Sequence, residues 1–290
     1  MQRLFHVLQL SILLQIGLVK GLLAQTDPPS YGARAGALGH AFTGVSGEFW
    51  SLYHNPAGIA EVSSLSAGLF FEQRFLLSEL NFGSGGLVIP IFNKQALGLQ
   101  LHSFGFSAYQ ENRVSLSYGI AAFENFSIGV RANYNLFSIE DLGDANAFFV
   151  DVGLQARISP ELTLGITATN VNRVRIKTQT LQEDLPTRVS AGLAYRPTEK
   201  VMFVADLQKD VNHEVSFRGG VEYAIAPSFY ARVGAGNEPL TWSAGFGILF
   251  GPMSLDASLS HTEILGYTPT LSLTYEVNRK STETNPINPL

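Results

Sequence analysis

The stretch Ser127-Ile-Gly-Val-Arg-Ala-Asn-Tyr-Asn-Leu-Phe137 decides the fold. Ile128, Val130, Ala132, Tyr134 and Leu136 fall on one side of an extended chain, and Ser127, Gly129, Arg131, Asn133 and Asn135 fall on the other. Alternation with a period of two belongs to a strand with one apolar and one wet face. The pattern restarts after the next turn, where Phe148, Val150, Val152, Leu154, Ala156 and Ile158 oppose Phe149, Asp151, Gly153, Gln155 and Arg157. It returns with Val215, Phe217, Gly219, Val221 and Tyr223 against Glu214, Ser216, Arg218, Gly220 and Glu222.

Carried along the chain, the same reading predicts fourteen strands, at 64–74, 78–92, 94–105, 109–122, 124–138, 146–159, 161–176, 186–197, 200–209, 213–225, 228–237, 240–250, 252–261 and 267–277. Turn signals such as Ser159-Pro160, Arg196-Pro197, Ala226-Pro227 and Gly251-Pro252 separate them. Each strand with its turn takes about 15 residues, and a tilted membrane-crossing strand uses roughly 9 to 11, so connections average about five. A soluble β-sandwich alternates too, but its charged face points outward and its apolar face inward. Here the charges share their face with Gly, Ser and Thr, and the apolar face carries very few. That is the pattern of an all-β, antiparallel transmembrane barrel whose wet side is the lumen and whose dry side meets lipid. An open sheet edge in hydrocarbon would leave unpaired N–H and C=O groups, so the sheet must close. Tyr109, Phe126, Phe137, Phe203, Phe229, Trp242, Phe250 and Tyr275 lie near strand ends and are predicted to form interfacial girdles.

Composition agrees. Of 290 residues 46% are hydrophobic and only 15% charged, well below the roughly 25% of an average soluble domain. A net charge of −5 without a basic run excludes a nucleic-acid partner. The absence of cysteine excludes disulfides, thiol catalysis, cysteine-ligated zinc and a lipoprotein anchor. The six histidines make no helical metal-binding pair, no nucleophilic triad can be assembled, and Gly83-Ser-Gly-Gly86 and Gly219-Gly220 lie inside strand patterns, where they read as bulges or close approaches. No catalytic residue, cofactor or metal is expected, and the chain reads as a non-enzyme.

The chain divides into four parts. Residues 1–24, with Arg3, an apolar run from Leu8 to Val19 and Leu22-Leu23-Ala24, read as a secretory signal peptide. Residues 25–62 are glycine-rich and aromatic and do not alternate, residues 63–277 form the barrel, and residues 278–290 are a polar tail. Eight strands are filled by their own side chains, whereas fourteen leave room, so the segment 25–62 is predicted to sit in the lumen as a hatch. Its candidate ligand or gating residues are Phe49, Trp50, Tyr53, Asn55, Pro56 and Gly58. Asn55-Pro56 combines a capping side chain with a fixed φ, which serves either to wedge the hatch into the wall or to gate the pore. The wet strand faces carry Arg131, Asp151, Arg157, Arg188, Arg196, Asp206, Arg218, Glu222, Arg232, Asp256 and Glu276. Having both signs, these lumen charges are expected to pair with one another or with the hatch and keep the pore shut.

The segment from Gly32-Ala33-Arg34-Ala35 to Gly39, followed by Tyr53-His-Asn55-Pro56-Ala57-Gly58-Ile-Ala60, resembles the N-terminal signature of FadL-like outer-membrane proteins, and most of all their PorV/PorQ branch in Bacteroidetes-type bacteria. Leu185-Pro186-Thr187-Arg188, Arg218-Gly-Gly-Val-Glu-Tyr223 and Arg232-Val-Gly234 resemble that group as well. The resemblance implies a fourteen-stranded barrel with a lumenal hatch in the bacterial cell outer membrane. It implies passage of small hydrophobic compounds such as long-chain fatty acids or, as the alternative, an accessory role in type IX secretion. The implied partners are outer-membrane lipid and either hydrophobic small molecules or secretion-system proteins. The chain departs from the resemblance in its short connections, which leave little room for the long loops of a capture groove.

Overall fold

A computed structural model describes residues 31–277 apart from 93, 178–181, 212–213 and 264. The expected signal peptide, the first residues of the expected hatch and the tail 278–290 lie outside the described residues. The strands are β1 (Ser66–Gln73), β2 (Asn81–Phe92), β3 (Gln95–Phe106), β4 (Tyr109–Phe123) and β5 (Phe126–Ile139). They continue with β6 (Gly143–Arg157), β7 (Leu162–Thr169), β8 (Arg175–Lys177), β9 (Gln182–Asp184), β10 (Arg188–Thr198) and β11 (Val201–Asp210). The last five are β12 (Val215–Ala226), β13 (Phe229–Asn237), β14 (Leu240–Phe250), β15 (Met253–Thr262) and β16 (Gly266–Glu276). All but β8 and β9 form one closed antiparallel barrel, in which β1 pairs with β2 on one side and with β16 on the other. Fourteen strands therefore close the ring, as the alternation predicts.

The faces also fall as the sequence predicts. On β5 Ser127, Arg131, Asn133 and Asn135 are buried toward the barrel interior, while Ile128, Val130, Tyr134 and Leu136 are exposed on the outside. Leu69, Leu97, Leu99, Leu116, Ile166, Val189, Phe217, Val233 and Leu271 extend that apolar band around the wall. An apolar surface of this extent is the outside of a barrel that spans a bilayer. Among the described residues no helix is long and apolar enough to cross a membrane.

One end of the barrel carries the start of β1, the end of β16 and short turns throughout; the other carries the long connections 74–80 and 170–187 together with short ones such as 107–108, 140–142 and 238–239. Phe92, Phe123, Tyr195, Tyr223, Phe229, Phe250 and Tyr275 point outward around the turn end and form a girdle there. Two of the residues assigned to girdles do not belong to one. Phe137 is buried inside the barrel and Tyr109 packs against it. Phe137 shares its parity with Asn133 and Asn135, so the pleat turns it inward.

The predicted strand 161–176 is two pieces. β7 stops at Thr169 because Asn170 adopts a left-handed conformation (φ 52°) and uses its side chain locally, accepting from Val174 N and donating to the Leu185 carbonyl, both at 2.9 Å. The chain then makes the small β8–β9 sheet before it re-enters the wall at β10. An average of five residues per connection conceals this long excursion. The glycine pairs cause no bulge, since the register runs unbroken through both, but Gly86 and Gly220 do mark close approaches.

Candidate functional site in the barrel lumen

Residues 31–62 lie against the inward face of the wall. Ala33–Ala37 is a short helix that packs on β14 and β15, and it ends at Gly39, whose left-handed φ of 67° turns the chain away. Ser51–His54 forms one helical turn, and Pro56–Glu61 is a 3-10 helix seated on β4, β5 and β6. The wall is shaped to receive it. Gly119, Gly129 and Gly153 stand side by side in register on β4, β5 and β6, forming a row without side chains. A Cβ on Gly119 would lie 2.8 Å from the Pro56 carbonyl oxygen, and one on Gly153 would lie 2.9 Å from Pro56 Cδ.

Asn55 fixes the segment at that row. Its Oδ1 accepts from Ala57 N at 3.1 Å and caps the 3-10 helix, while its Nδ2 donates to the Thr43 carbonyl at 3.0 Å and to the Leu154 carbonyl of β6 at 3.1 Å. Pro56 occupies the first helical position, where its missing N–H is no loss. Gly58 lets Val45 and Gln155 approach. Phe49, Trp50 and Tyr53 belong to a different part of the segment, an aromatic cluster facing β1 and β2 in which Trp50 lies 6.1 Å from Phe70 and Tyr53 stacks on Tyr31 at 4.6 Å. The six hatch residues named from sequence thus form two groups, a wedge (Asn55, Pro56, Gly58) and a ring cluster (Phe49, Trp50, Tyr53).

Nine of the eleven charges named from sequence make the following polar contacts on the inward face. Arg131 bonds Asp151 at 2.8 Å and donates to the carbonyls of Leu52 and Tyr53, both at 2.9 Å. Asp206 accepts from Phe42 N, Thr43 N and Thr43 Oγ1. Arg157 reaches Glu61 at 2.5 Å near the turn end, and Arg188 faces Asp210 at 3.9 Å. Arg232 joins Glu222 at 2.6 Å and Asp256 at 2.7 Å, and Arg34 of the segment joins the same Glu222 and also Glu48. Arg218 donates from Nε to Ser216 Oγ at 3.2 Å. Burial opposes the charge of Arg34, but Glu222 and Glu48 outweigh it and raise its pKa; burial pushes the Glu48 carboxyl up. His54, whose Nε2 lies 2.8 Å from the Tyr31 carbonyl, is lowered to about 4 by burial, and His40 to about 3. Among the described residues no group of three or more potential ligands is placed to hold a metal ion.

Between the segment and the loop end the register writes the lining row by row. One row runs Glu72, Phe82, Phe104, Glu111, Phe137, Ala145 across β1 to β6; the next toward the segment runs Phe70, Ser84, His102, Arg113, Asn135, Ala147. Through these rows the rings of Trp50, Phe70, Phe82, Phe104 and Tyr109 follow one another at centroid spacings of 6.1, 5.9, 6.5 and 6.2 Å. Tyr109 then meets an apolar patch of Phe137, Ala145 and Ala147, roofed by Val174, Ile176 and Leu185 from the excursion. The sequence reading missed Glu72, Phe82, His102, Phe104, Glu111 and Arg113, and placed Phe149 on the wet face without a role. Each lies at a wet-face position of its strand, so the parity that located Arg131 and Asp151 also locates them. Their grouping depends on the cross-strand register.

No family model and no curated protein matches the chain. Solved structures do. The monoaromatic hydrocarbon channel CymD superposes with a TM-score of 0.64 over 86% of this chain and 98% of that one, at 14% identity. The fold is that of the FadL-type channels. A Pseudomonas aeruginosa FadL homologue follows with a TM-score of 0.62 over 84% of this chain and 98% of its own, at 12% identity. The Pseudomonas putida toluene transporter TodX matches with a TM-score of 0.63 over 86% of this chain and 98% of its own, at 11% identity.

Proposed function

We propose that the protein is a channel of the bacterial outer membrane for small hydrophobic compounds, with the segment 31–62 as the hatch that closes its lumen. The observation that carries this reading is the ring series from Trp50 to Tyr109 and on to Phe137, an apolar path through a lumen many of whose other inward positions are Ser, Thr, Asn and paired charges. A water-filled pore for polar solutes has no use for such a path, since water wets aromatic walls poorly. The path begins under the roof at the loop end and stops at the hatch. The fold shared with channels described as hydrocarbon and toluene transporters supports the same solute class. The two long connections, 74–80 and 170–187, share one end, which fits the usual orientation of such barrels with that end outside the cell.

Photoreactive hydrophobic probes, one alkyl and one aryl, test the reading on the purified, folded protein. Saturable labelling that unlabelled compound competes away, mapped to Phe82, Phe104, Tyr109 or Phe137, is the expected result. Labelling confined to the outer wall would overturn it. The search would then turn to co-purifying secretion proteins, the role implied by the PorV/PorQ-like signature.

A further inference from the structure

Above the hatch the rings are not alone. The Arg74 guanidinium lies over the Phe104 ring at 5.1 Å, and the Arg113 guanidinium lies over the Phe149 ring at 5.1 Å. Each is held in place by a carboxylate two residues earlier on the chain, Glu72 at 2.6 Å for Arg74 and Glu111 at 2.8 Å for Arg113; Arg113 also bonds Asn135. The same unit, a carboxylate fixing a guanidinium plane over an aromatic ring, therefore occurs twice around the vestibule. Glu111 and Arg113 keep 19% and 22% of their side-chain surface accessible although they face the lumen, so this polar edge opens into the space that the roof covers.

We propose that this vestibule selects neutral, planar aromatic solutes carrying a hydroxyl or similar polar group, in preference to flexible alkyl acids and to plain aromatic hydrocarbons. The inference rests on the proposed channel function and names its solute class. Fixed flat surfaces reward a flat guest: rings and guanidinium planes stack on an aromatic solute, while an alkyl chain gains only area and loses rotamer freedom. The polar edge decides the substituent. A hydroxyl donates to Glu111 and accepts from Arg113, whereas a hydrocarbon displaces water from both and returns nothing. A carboxylate tail is disfavoured, because Arg74 and Arg113 are already neutralised by Glu72 and Glu111, and a second anion beside those carboxylates is repelled.

Equilibrium dialysis of the full mature protein, folded in detergent, against 2-naphthol, naphthalene and oleate tests this. The expected result is 2-naphthol binding about tenfold more tightly than either of the others, the size of one good polar contact in a protected site. Arg113→Lys keeps the charge but loses the planar fork, and Glu111→Gln keeps the shape but loses the strong acceptor. Each is expected to cut the naphthol-to-naphthalene preference to about twofold or less. Equal binding of naphthalene or oleate by the unaltered protein, or a preference untouched in both variants, overturns the proposal while leaving the channel reading standing. Failure of all three compounds to bind protein whose heat-modifiable mobility shows it folded defeats both.

Discussion

Arg34 and Glu222 face each other with two nitrogens on two oxygens, Nε to Oε2 and Nη2 to Oε1, both at 2.7 Å. Arg34 belongs to the N-terminal segment and Glu222 to β12, so this fork joins the segment to the wall near the turn end. Arg34 also bonds Glu48 within its own segment, and Glu222 shares its Oε2 with Arg232, which holds Asp256. Two guanidiniums thus hold three carboxylates in one chain of bonds. Such a network is costly to break from one side, because the partner left behind is a buried charge.

Arg34→Ala is therefore expected to weaken docking of the segment by about 2–5 kcal/mol, since Glu48 loses the guanidinium bonded to it and Glu222 keeps only Arg232. In planar bilayers the variant is expected to show more frequent and larger conductance steps than the unaltered protein. Arg34→Lys keeps the charge without the fork and falls between the two. Conductance of Arg34→Ala identical to that of the unaltered protein would mean that the pair does not hold the segment.

The glycine row gives a second test. A Cβ at Gly129 would run into the backbone of Pro56 and Ala57; β4 and β6 fix Gly129 on both sides and the Asn55 cap fixes the 3-10 helix, so neither side can yield cheaply. Gly129→Ala is expected to cost about 1–3 kcal/mol and to lower the midpoint of the heat-induced mobility shift by several degrees. Gly83→Ala is the control, because a Cβ there meets nothing within 4 Å. Equal midpoints for the two variants would show that the row does not support the segment.

These relationships differ in how far the sequence announces them. The strand faces are legible because one rule, alternation, separates Ile128 and Val130 from Arg131 and Asn133 wherever the chain crosses the wall. Asn55-Pro56 is legible as a local device, since an Asn before a Pro carries its own cap. The partners of Asn55 are not legible, because Leu154 lies on a strand 99 positions away and only the seating of the segment brings it near. The vestibule is hidden for a related reason. Glu111 meets Phe137, and Arg113 meets Asn135, through the register of a long hairpin, and a shift of one residue in that turn would turn each pair to the opposite face. Residue type alone assigns Phe137 to a girdle, although its parity with Asn135 places it inside.

Asn55→Ala removes three hydrogen bonds, two donated to the carbonyls of Thr43 and Leu154 and one accepted from Ala57 N, whose buried N–H loses its acceptor. At about 1–3 kcal/mol for a buried polar group left unpaired, the segment is expected to loosen markedly while the barrel stays folded. An Ala57→Cys background reads this out: maleimide labelling in intact vesicles is expected to be slow in that parent and at least tenfold faster once Asn55→Ala is added. Equal rates would show that the Asn55 contacts are incidental to docking.

His54 makes docking depend on pH, with a definite sign. Burial, reinforced by the charges of Arg131 and Arg218, lowers its pKa to about 4 from an ordinary 6.5, against the raising effect of its bond to the Tyr31 carbonyl. A neutral ring bonded to a carbonyl must carry its proton on Nε2, the nitrogen that lies 2.8 Å from that oxygen. An undocked segment takes up a second proton near pH 6.5, whereas the docked one resists until about pH 4. The His54 contribution is thus fully present above pH 6.5 and is lost as pH falls from there to about 4. Glu48 works in the opposite sense, because burial raises its pKa and its docking is favoured by a proton. A His54→Gln variant separates the two, since it removes the histidine slope and leaves that of Glu48. The chain has two tryptophans, so Trp50 emission in a Trp242→Phe background reports the segment alone. Between pH 7.5 and 4.5 that emission is expected to shift toward the solvent-exposed value with His54 present and to shift less, or the other way, in the His54→Gln variant. The same shift in both proteins would rule out His54 as the titrating group.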